Sequence, residues 1–288
     1  MPELPEVEVL VRRLRPLVMG RVIRRVEVRR ERVISPTSLT AFRTTLSGAR
    51  MLGLERRGKY LLFQLQTPTR SEPVLLIGHL GMTGRMFVAA KDAPLPKHAA
   101  VVLDFGPERF VYEDTRYFGR LTLDTTIITK LGREPLGSQF TPESFGRSLK
   151  ASRQAIKVKL LDQSLVAGIG NIYASEALFR ARISPRLASR RLTDAQVRSL
   201  WRAIRKVLAD AVRRGSTIPL GFNSGGKDGL FYFGQEPGTS GCYEERLRVY
   251  DRQDRPCVRC KAPIKRIVQA ARSTFFCPNC QRAAIRLR

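Results

Sequence analysis

The sequence predicts an α+β chain of several domains: an N-terminal antiparallel β-sandwich with flanking helices, then a helical domain, then a small β-hairpin built around four cysteines. Three observations carry this reading. From about residue 22 to 124, short segments rich in β-branched and aromatic residues are broken by Gly, Pro and Asp, the pattern of antiparallel strands joined by turns. From near residue 140, helix-start signals and apolar residues at helical spacing take over. Towards the C-terminus two Cys-x-x-Cys pairs occur. The expected boundaries are 1–130, 131–240 and 241–288.

The chain opens MPELPEVE. Pro5 is tolerated in a first helical turn, and acidic residues there complement the helix dipole. Residues 5–20 therefore read as an amphipathic helix with Val7, Leu10, Leu14 and Leu17 on one side. The segments VIRRVEV, KYLLFQL, PVLLIGHLG, AAVVLDF and RFVYED supply the strands. In TPESF, Thr141 is placed to cap a helix and Pro142 to occupy its first position. The clearest helix is LTDAQVRSLWRAIRKVLADAVRRG, with Thr193 and Gln196 as a capping box, an apolar stripe from Val197 to Val212, and Gly215 at its end. That stripe is core. Residues 215–241 are Gly-rich and read as a long loop.

Charge narrows the partner. Lys and Arg number 52 against 25 Asp and Glu, a net charge of +27. Such an excess favours a polyanionic partner. The cations are spread through folded-looking segments rather than gathered in a tail or amphipathic helix, which favours nucleic acid over a membrane surface. No apolar run is long enough to span a bilayer and no signal-peptide pattern is present, so an intracellular, cytoplasmic protein is expected.

Cys257-Val-Arg-Cys260 is followed by sixteen residues and then Cys277-Pro-Asn-Cys280. Two such turns can present four thiolates to one tetrahedral zinc, and the spacer suits a hairpin. With four thiolates the site is closed, so the zinc is structural. Cys242 lies outside this spacing and reads as a free thiol. The spacer is basic at Lys261, Lys265, Arg266 and Arg272, which suits a hairpin set against phosphates.

Taken with these features, RRGKYLL at 56–62, HLGMTG at 79–84, DTRYFG at 114–119, LLDQSLVAGIGNIYASEALF at 160–179 and ARSTFFCPNC at 271–280 make the whole chain resemble the formamidopyrimidine-DNA glycosylase family. The resemblance implies a helix–two-turn–helix element in the central domain and a monomer acting on double-stranded DNA with oxidised bases or abasic sites. It implies removal of oxidised purines, followed by strand cleavage through β- and δ-elimination.

Its implied residue roles are as follows. With Met1 removed, Pro2 becomes a secondary-amine nucleophile. Glu3 moves a proton at the sugar and Glu6 supports it, while Glu8 matches no role and reads as solvated. Lys59 lies near the lesion and its flanking phosphate. Met82, Arg116 and Phe118 fill the gap left by an everted nucleotide. Asn171 and Arg272 hold phosphates, with His79 and Lys157 as further DNA-side residues.

Three stretches depart from the family pattern: Thr115 and Tyr117 in DTRYFG, the loop IPLGFNSGGKDGLFYFGQEP, and the bridge EPGTSGCYEERLRVY. They bear on lesion preference and leave Pro2, Glu3 and the cysteines untouched. Two rival readings remain. One is an oxidised-pyrimidine glycosylase of the endonuclease VIII type, against which Leu4 and GNIYASE argue. The other is a zinc-bearing DNA-binding protein without chemistry, for which joint retention of Pro2, Glu3 and Lys59 has no reason.

Overall fold

Helix α1 spans Leu4–Val18. Its capping box closes when the Glu3 amide donates to Glu6 Oε2 at 2.8 Å, which satisfies one of the donors a helix start leaves open. The buried stripe is Val7, Leu10, Leu14 and Val18, joined by Val11, while Leu17, expected on this stripe, is exposed. The helix keeps to its 3.6-residue period, which carries the apolar face on to Val18 and leaves position 17 outside.

The computed structural model describes residues 2–215 and 247–282. Among the described residues the chain divides into two compact units, the first ending at Lys130 and the second starting at Leu131 and including the cysteine hairpin. Met1, Cys242 and the Gly-rich loop of residues 223–230 lie outside the described residues.

In the first unit, eight strands follow α1: β1 (Arg25–Val28), β2 (Arg50–Arg57), β3 (Tyr60–Gln66), β4 (Val74–His79), β5 (Gly84–Ala90), β6 (Ala99–Asp104), β7 (Glu108–Asp114) and β8 (Arg120–Thr122). They form two four-stranded antiparallel sheets, ordered β1-β6-β7-β5 and β2-β3-β4-β8. Alternation along β3 buries Leu61, Phe63 and Leu65, as one packed face requires. The rings of Phe63 and Phe110 meet edge to face at 5.6 Å, joining one sheet to the other, and α1 packs against β2 and β3. Between β1 and β2 the chain adds helix α2 (Leu39–Leu46), capped by Ser38, which accepts from the Ala41 amide. A short α3 (Thr126–Thr129) closes the unit.

The second unit is helical and then ends in a hairpin. Its helices are α4 (Pro142–Lys150), α5 (Ile156–Leu160), α6 (Asn171–Ala181) and α7 (Asp194–Arg213). Thr141 caps α4. Thr193 and Gln196 exchange both bonds of a capping box at the start of α7. The α7 stripe is buried, and Trp201 donates to the Phe140 carbonyl at 2.7 Å. Strands β9 (Lys265–Gln269) and β10 (Arg272–Phe276) make the hairpin. No helix among the described residues is long and apolar enough to cross a membrane.

Candidate active site and nucleic-acid interface

In the first unit, the chain start, the β2–β3 turn and the β4 end carry the candidate chemistry. Pro2, Glu3 and Glu6 are all buried. Because Glu6 accepts the Glu3 amide, the backbone directly after Pro2 has a fixed direction. Gly58 and Lys59 form the two-residue connection between β2 and β3, and Gly58 takes φ +57°, which glycine adopts without steric cost. Lys59 is only 6% exposed.

Glu8 is not solvated as expected. Its carboxylate binds Arg56 at 2.9 Å and Arg12 at 2.8 Å. Burial pushes the carboxyl up, but the hydrogen bonds and charges of the two arginines outweigh it and hold the group below the ordinary range. Arg56 also donates to the Gly58 carbonyl at 3.0 Å. Helix α1 is therefore tied to the turn that carries Lys59.

His79 pairs with Tyr60 across the sheet, their rings 4.7 Å apart. Its Nδ1 accepts the Gly81 amide at 3.1 Å, which leaves the ring proton on Nε2. Burial, with Lys59 and Arg120 nearby, lowers its pKa to about 4, against a smaller opposing pull from Asp114. It is a neutral donor at physiological pH.

Met82 lies in the β4–β5 turn, and Arg116 and Phe118 lie in the β7–β8 loop. All three are exposed, Met82 and Phe118 at 46%, although large apolar side chains are ordinarily covered. The Arg116 guanidinium sits over the Phe118 ring at 4.7 Å. Tyr117 between them takes a left-handed φ of 52°. Its hydroxyl lies 3.3 Å from His98 Nδ1, and Arg30 lies over its ring.

In the second unit, Gln163 braces the Gly168-Ile169-Gly170 turn by accepting the Gly168 amide and donating to the Ile169 carbonyl. Asn171 opens α6 there, where helix amides and the dipole favour an anion. Lys157 has no exposed surface and donates to Asn171 Oδ1 at 2.5 Å. Asn171 Nδ2 in turn donates to the Ser273 carbonyl on β10, next to the exposed Arg272. Lys157 thus reaches the hairpin through Asn171.

The four cysteine sulfurs lie within 4.8 Å of one another, with Cys257–Cys280 at 3.9 Å and Cys260–Cys277 at 3.4 Å. A tetrahedron with Zn–S near 2.3 Å has edges of about 3.8 Å. The Arg259 amide points at Cys257 Sγ and the Cys280 amide at Cys277 Sγ, as donors to thiolates would. These residues fit one structural zinc. Beneath them pack Val249, Ile264, Phe275 and Phe179. Sequence reasoning passed over Glu176. Its buried carboxylate accepts the amides of Arg248, Val249 and Tyr250 at 2.9–3.1 Å, fixing the start of the hairpin module to α6.

A two-sheet sandwich with a buried acidic chain start is thus followed by a helical unit whose helix N-terminus is braced to a four-thiolate hairpin. Family models match along the chain: the formamidopyrimidine-DNA glycosylase N-terminal domain at residues 1–121, its H2TH domain at 131–220, and the zinc finger found in FPG and IleRS at 255–283. The chain belongs to the formamidopyrimidine-DNA glycosylase family. It is 43% identical to the formamidopyrimidine-DNA glycosylase of Symbiobacterium thermophilum, over 98% of this chain and 89% of the relative. It is 42% identical to that of Thermus thermophilus, over 98% of each. A Lactococcus lactis enzyme of this name, solved non-covalently bound to DNA containing an abasic site, superposes with a TM-score of 0.83 at 33% identity, covering 98% of this chain and all of that one. A MutM complex with DNA containing carbocyclic 8-oxo-G gives 0.84 at the same identity and coverage.

Proposed function

We propose that this chain excises oxidised purines, ring-opened formamidopyrimidines and 8-oxoguanine, from double-stranded DNA and then cuts the strand. The Pro2 amine, freed by loss of Met1, attacks C1′ of the damaged nucleotide. The base departs with the glycosidic electron pair, the attached amine gives up its proton, and its lone pair then expels O4′, which takes a proton as the sugar ring opens, so that an iminium joins protein to sugar. An N-terminal amine has a pKa near 8, so a useful fraction is unprotonated at neutral pH. The iminium acidifies C2′; loss of that proton expels the 3′ phosphate, and a second elimination expels the 5′ phosphate. Glu3 moves the proton at the sugar, Glu6 holds the turn, and Lys59 steadies phosphate charge as it departs.

The everted nucleotide leaves a gap in the duplex. Met82 and Phe118 wedge into it, and the Arg116 guanidinium hydrogen-bonds the widowed base. His79, Asn171 and Arg272 hold phosphates, with Lys157 setting Asn171. The zinc contributes no chemistry and keeps Arg272 and Ser273 in place. Residues 1–130 do the chemistry, while 131–240 and 241–288 grip the DNA. The protein works as a monomer on chromosomal DNA in a bacterial cytoplasm, in keeping with its bacterial relatives.

The observation that carries this reading is the buried Pro2-Glu3 turn, fixed by Glu6 and tied through Glu8 and Arg56 to the Lys59 turn. Borohydride should trap the mature protein on abasic-site DNA as a stable amine. Pro2→Gly, and protein retaining Met1, should lose most of the trapping. Undiminished trapping with Met1 in place would assign the nucleophile to a lysine.

A further inference from the structure

We infer that Asp114 is the positioning residue that sets the three wedge side chains as one rigid unit. The inference rests on the reading of Met82, Arg116 and Phe118 as wedges. Asp114 ends β7 opposite Gly84 of β5 and has no exposed surface. Its Oδ1 accepts the Thr83 hydroxyl at 2.6 Å and the Arg116 amide at 3.1 Å. Its Oδ2 accepts the Gly119 amide at 2.8 Å and the Tyr112 hydroxyl at 3.4 Å. An ionised carboxylate offers about four acceptor directions, and here neutral donors take them. Three of the four flank the wedges: Thr83 follows Met82, the Arg116 amide belongs to the second wedge, and Gly119 follows Phe118.

The backbones of the two loops also touch. A Cβ on Gly81 would lie 2.5 Å from the Gly119 nitrogen and 2.8 Å from the Phe118 carbonyl carbon, and one on Gly119 would overlap the Tyr112 hydroxyl and the His79 carbonyl. Both positions admit only glycine. Between the anchored amides of residues 116 and 119, Tyr117 is held at a left-handed φ of 52°, a conformation that persists in a non-glycine residue only where its surroundings over-determine it. The wedges are therefore exposed at their tips and immobile at their roots. A wedge already ordered before it meets DNA does not lose that freedom on insertion, and Arg116 meets the widowed base from a set direction. Asp114 thus governs eversion and opposite-base discrimination while remaining out of reach of the DNA.

The test compares two substrates. One is a lesion in an intact duplex. The other is an abasic site facing a one-nucleotide gap, which has no base to evert and no widowed base to meet. Asp114→Asn keeps the shape but turns an amide N–H₂ towards donors. Thr83→Val removes only the tether beside Met82. Asp114→Asn should slow single-turnover excision on the duplex by about 10- to 100-fold, the worth of one or two hydrogen bonds to a charged group. Trapping on the gapped abasic site should fall by far less, and the preference among the four opposite bases should flatten. Thr83→Val should follow in the same direction, less strongly, and serves alone if Asp114→Asn does not fold. An equal fall on both substrates with base preference intact would make Asp114 a general fold residue and overturn the inference, as would no change on either. Phe118→Ala and Met82→Ala separate the layers. If they leave duplex excision unchanged, the wedge reading itself fails; if they slow it while Asp114→Asn and Thr83→Val do not, only the role of Asp114 falls.

Discussion

Glu8 holds the Arg56 guanidinium at 2.9 Å, and the same guanidinium donates to the Gly58 carbonyl at 3.0 Å. Side chains 48 positions apart in sequence thereby fix the helix after Pro2 against the turn that presents Lys59. Glu8→Gln should cost about 1–3 kcal/mol at neutral pH, as for a partly buried charged pair losing one member. The Glu8 carboxyl titrates below its ordinary value in the folded state, so its contribution is present above the unfolded-state pKa and lost as pH falls through the folded value. Urea unfolding should show the variant and wild type diverging at neutral pH and converging in acid. The trapping rate should also drop, since the Lys59 turn loses its tether.

His79 gives a comparable loss in a different window. Its pKa falls from 6.5 to about 4 on folding, so the unfolded chain binds a proton that the folded one refuses. Stability is complete above pH 6.5 and declines as pH falls towards 4, by roughly 3 kcal/mol in all. His79→Asn, whose amide oxygen can accept the Gly81 N–H, should flatten the difference in Tm between pH 6.5 and 4. A variant as pH-sensitive as wild type would place the titrating group elsewhere.

Removing zinc, or Cys277→Ser, should unfold the hairpin and leave the sandwich intact. Cys257 and Cys277 belong to the cluster of Val249, Ile264 and Phe275, and so small a module folds largely on metal-binding energy. DNA affinity should drop, and the salt slope should shrink by about one if the phosphate contact proposed for Arg272 is lost. Metal analysis, far-ultraviolet circular dichroism and salt-titrated binding check these together. Full DNA affinity in zinc-free protein would refute the structural role.

The hairpin tip is strained. Gln269 pairs with Arg272 across Ala270 and Ala271, which take φ of 47° and 58°. Two-residue turns of this hand prefer Asn-Gly. Replacing the two alanines by Asn-Gly should stabilise the module by about 1 kcal/mol, about fivefold in zinc affinity, without moving Arg272. Competition with a chromophoric chelator measures it.

The sandwich strands, the α7 caps and the cysteine quartet were legible because each is local: alternation of period two, a capping box spanning one helical turn, and ligand pairs within single short turns. Helix α2 was not read, since its short run is interrupted by threonines among apolar positions in a β-rich stretch, and only Ser38 signalled it. The role of Glu8 was missed because its partner Arg56 lies in another element. Glu176 was missed because its three amides come from beyond a long Gly-rich segment with no periodic pattern of its own. Asp114 stands inside the DTRYFG motif and takes three of its donors from nearby in sequence, but the fourth, which ties it to the Met82 turn, is Thr83, 31 positions away. Pairings of this length leave no periodic trace in sequence.

The Glu176 carboxylate also sets an order of events in synthesis. The first amide it accepts belongs to Arg248, 72 residues further on. At about 5–20 residues per second, the ribosome makes Glu176 about 4–14 s before its partners exist. During that interval α6 buries the side chain only with its carboxyl lacking those amide donors, whereas the last strand of the sandwich, ending at Thr122, is already made. A nascent or truncated chain ending before residue 248 should therefore hold a folded N-terminal half and an open second one, a species exposed to proteases and unable to grip DNA. Stalled-chain proteolysis should find its protected boundary near residue 130, moving to the C-terminus only once Val249 and Tyr250 have emerged.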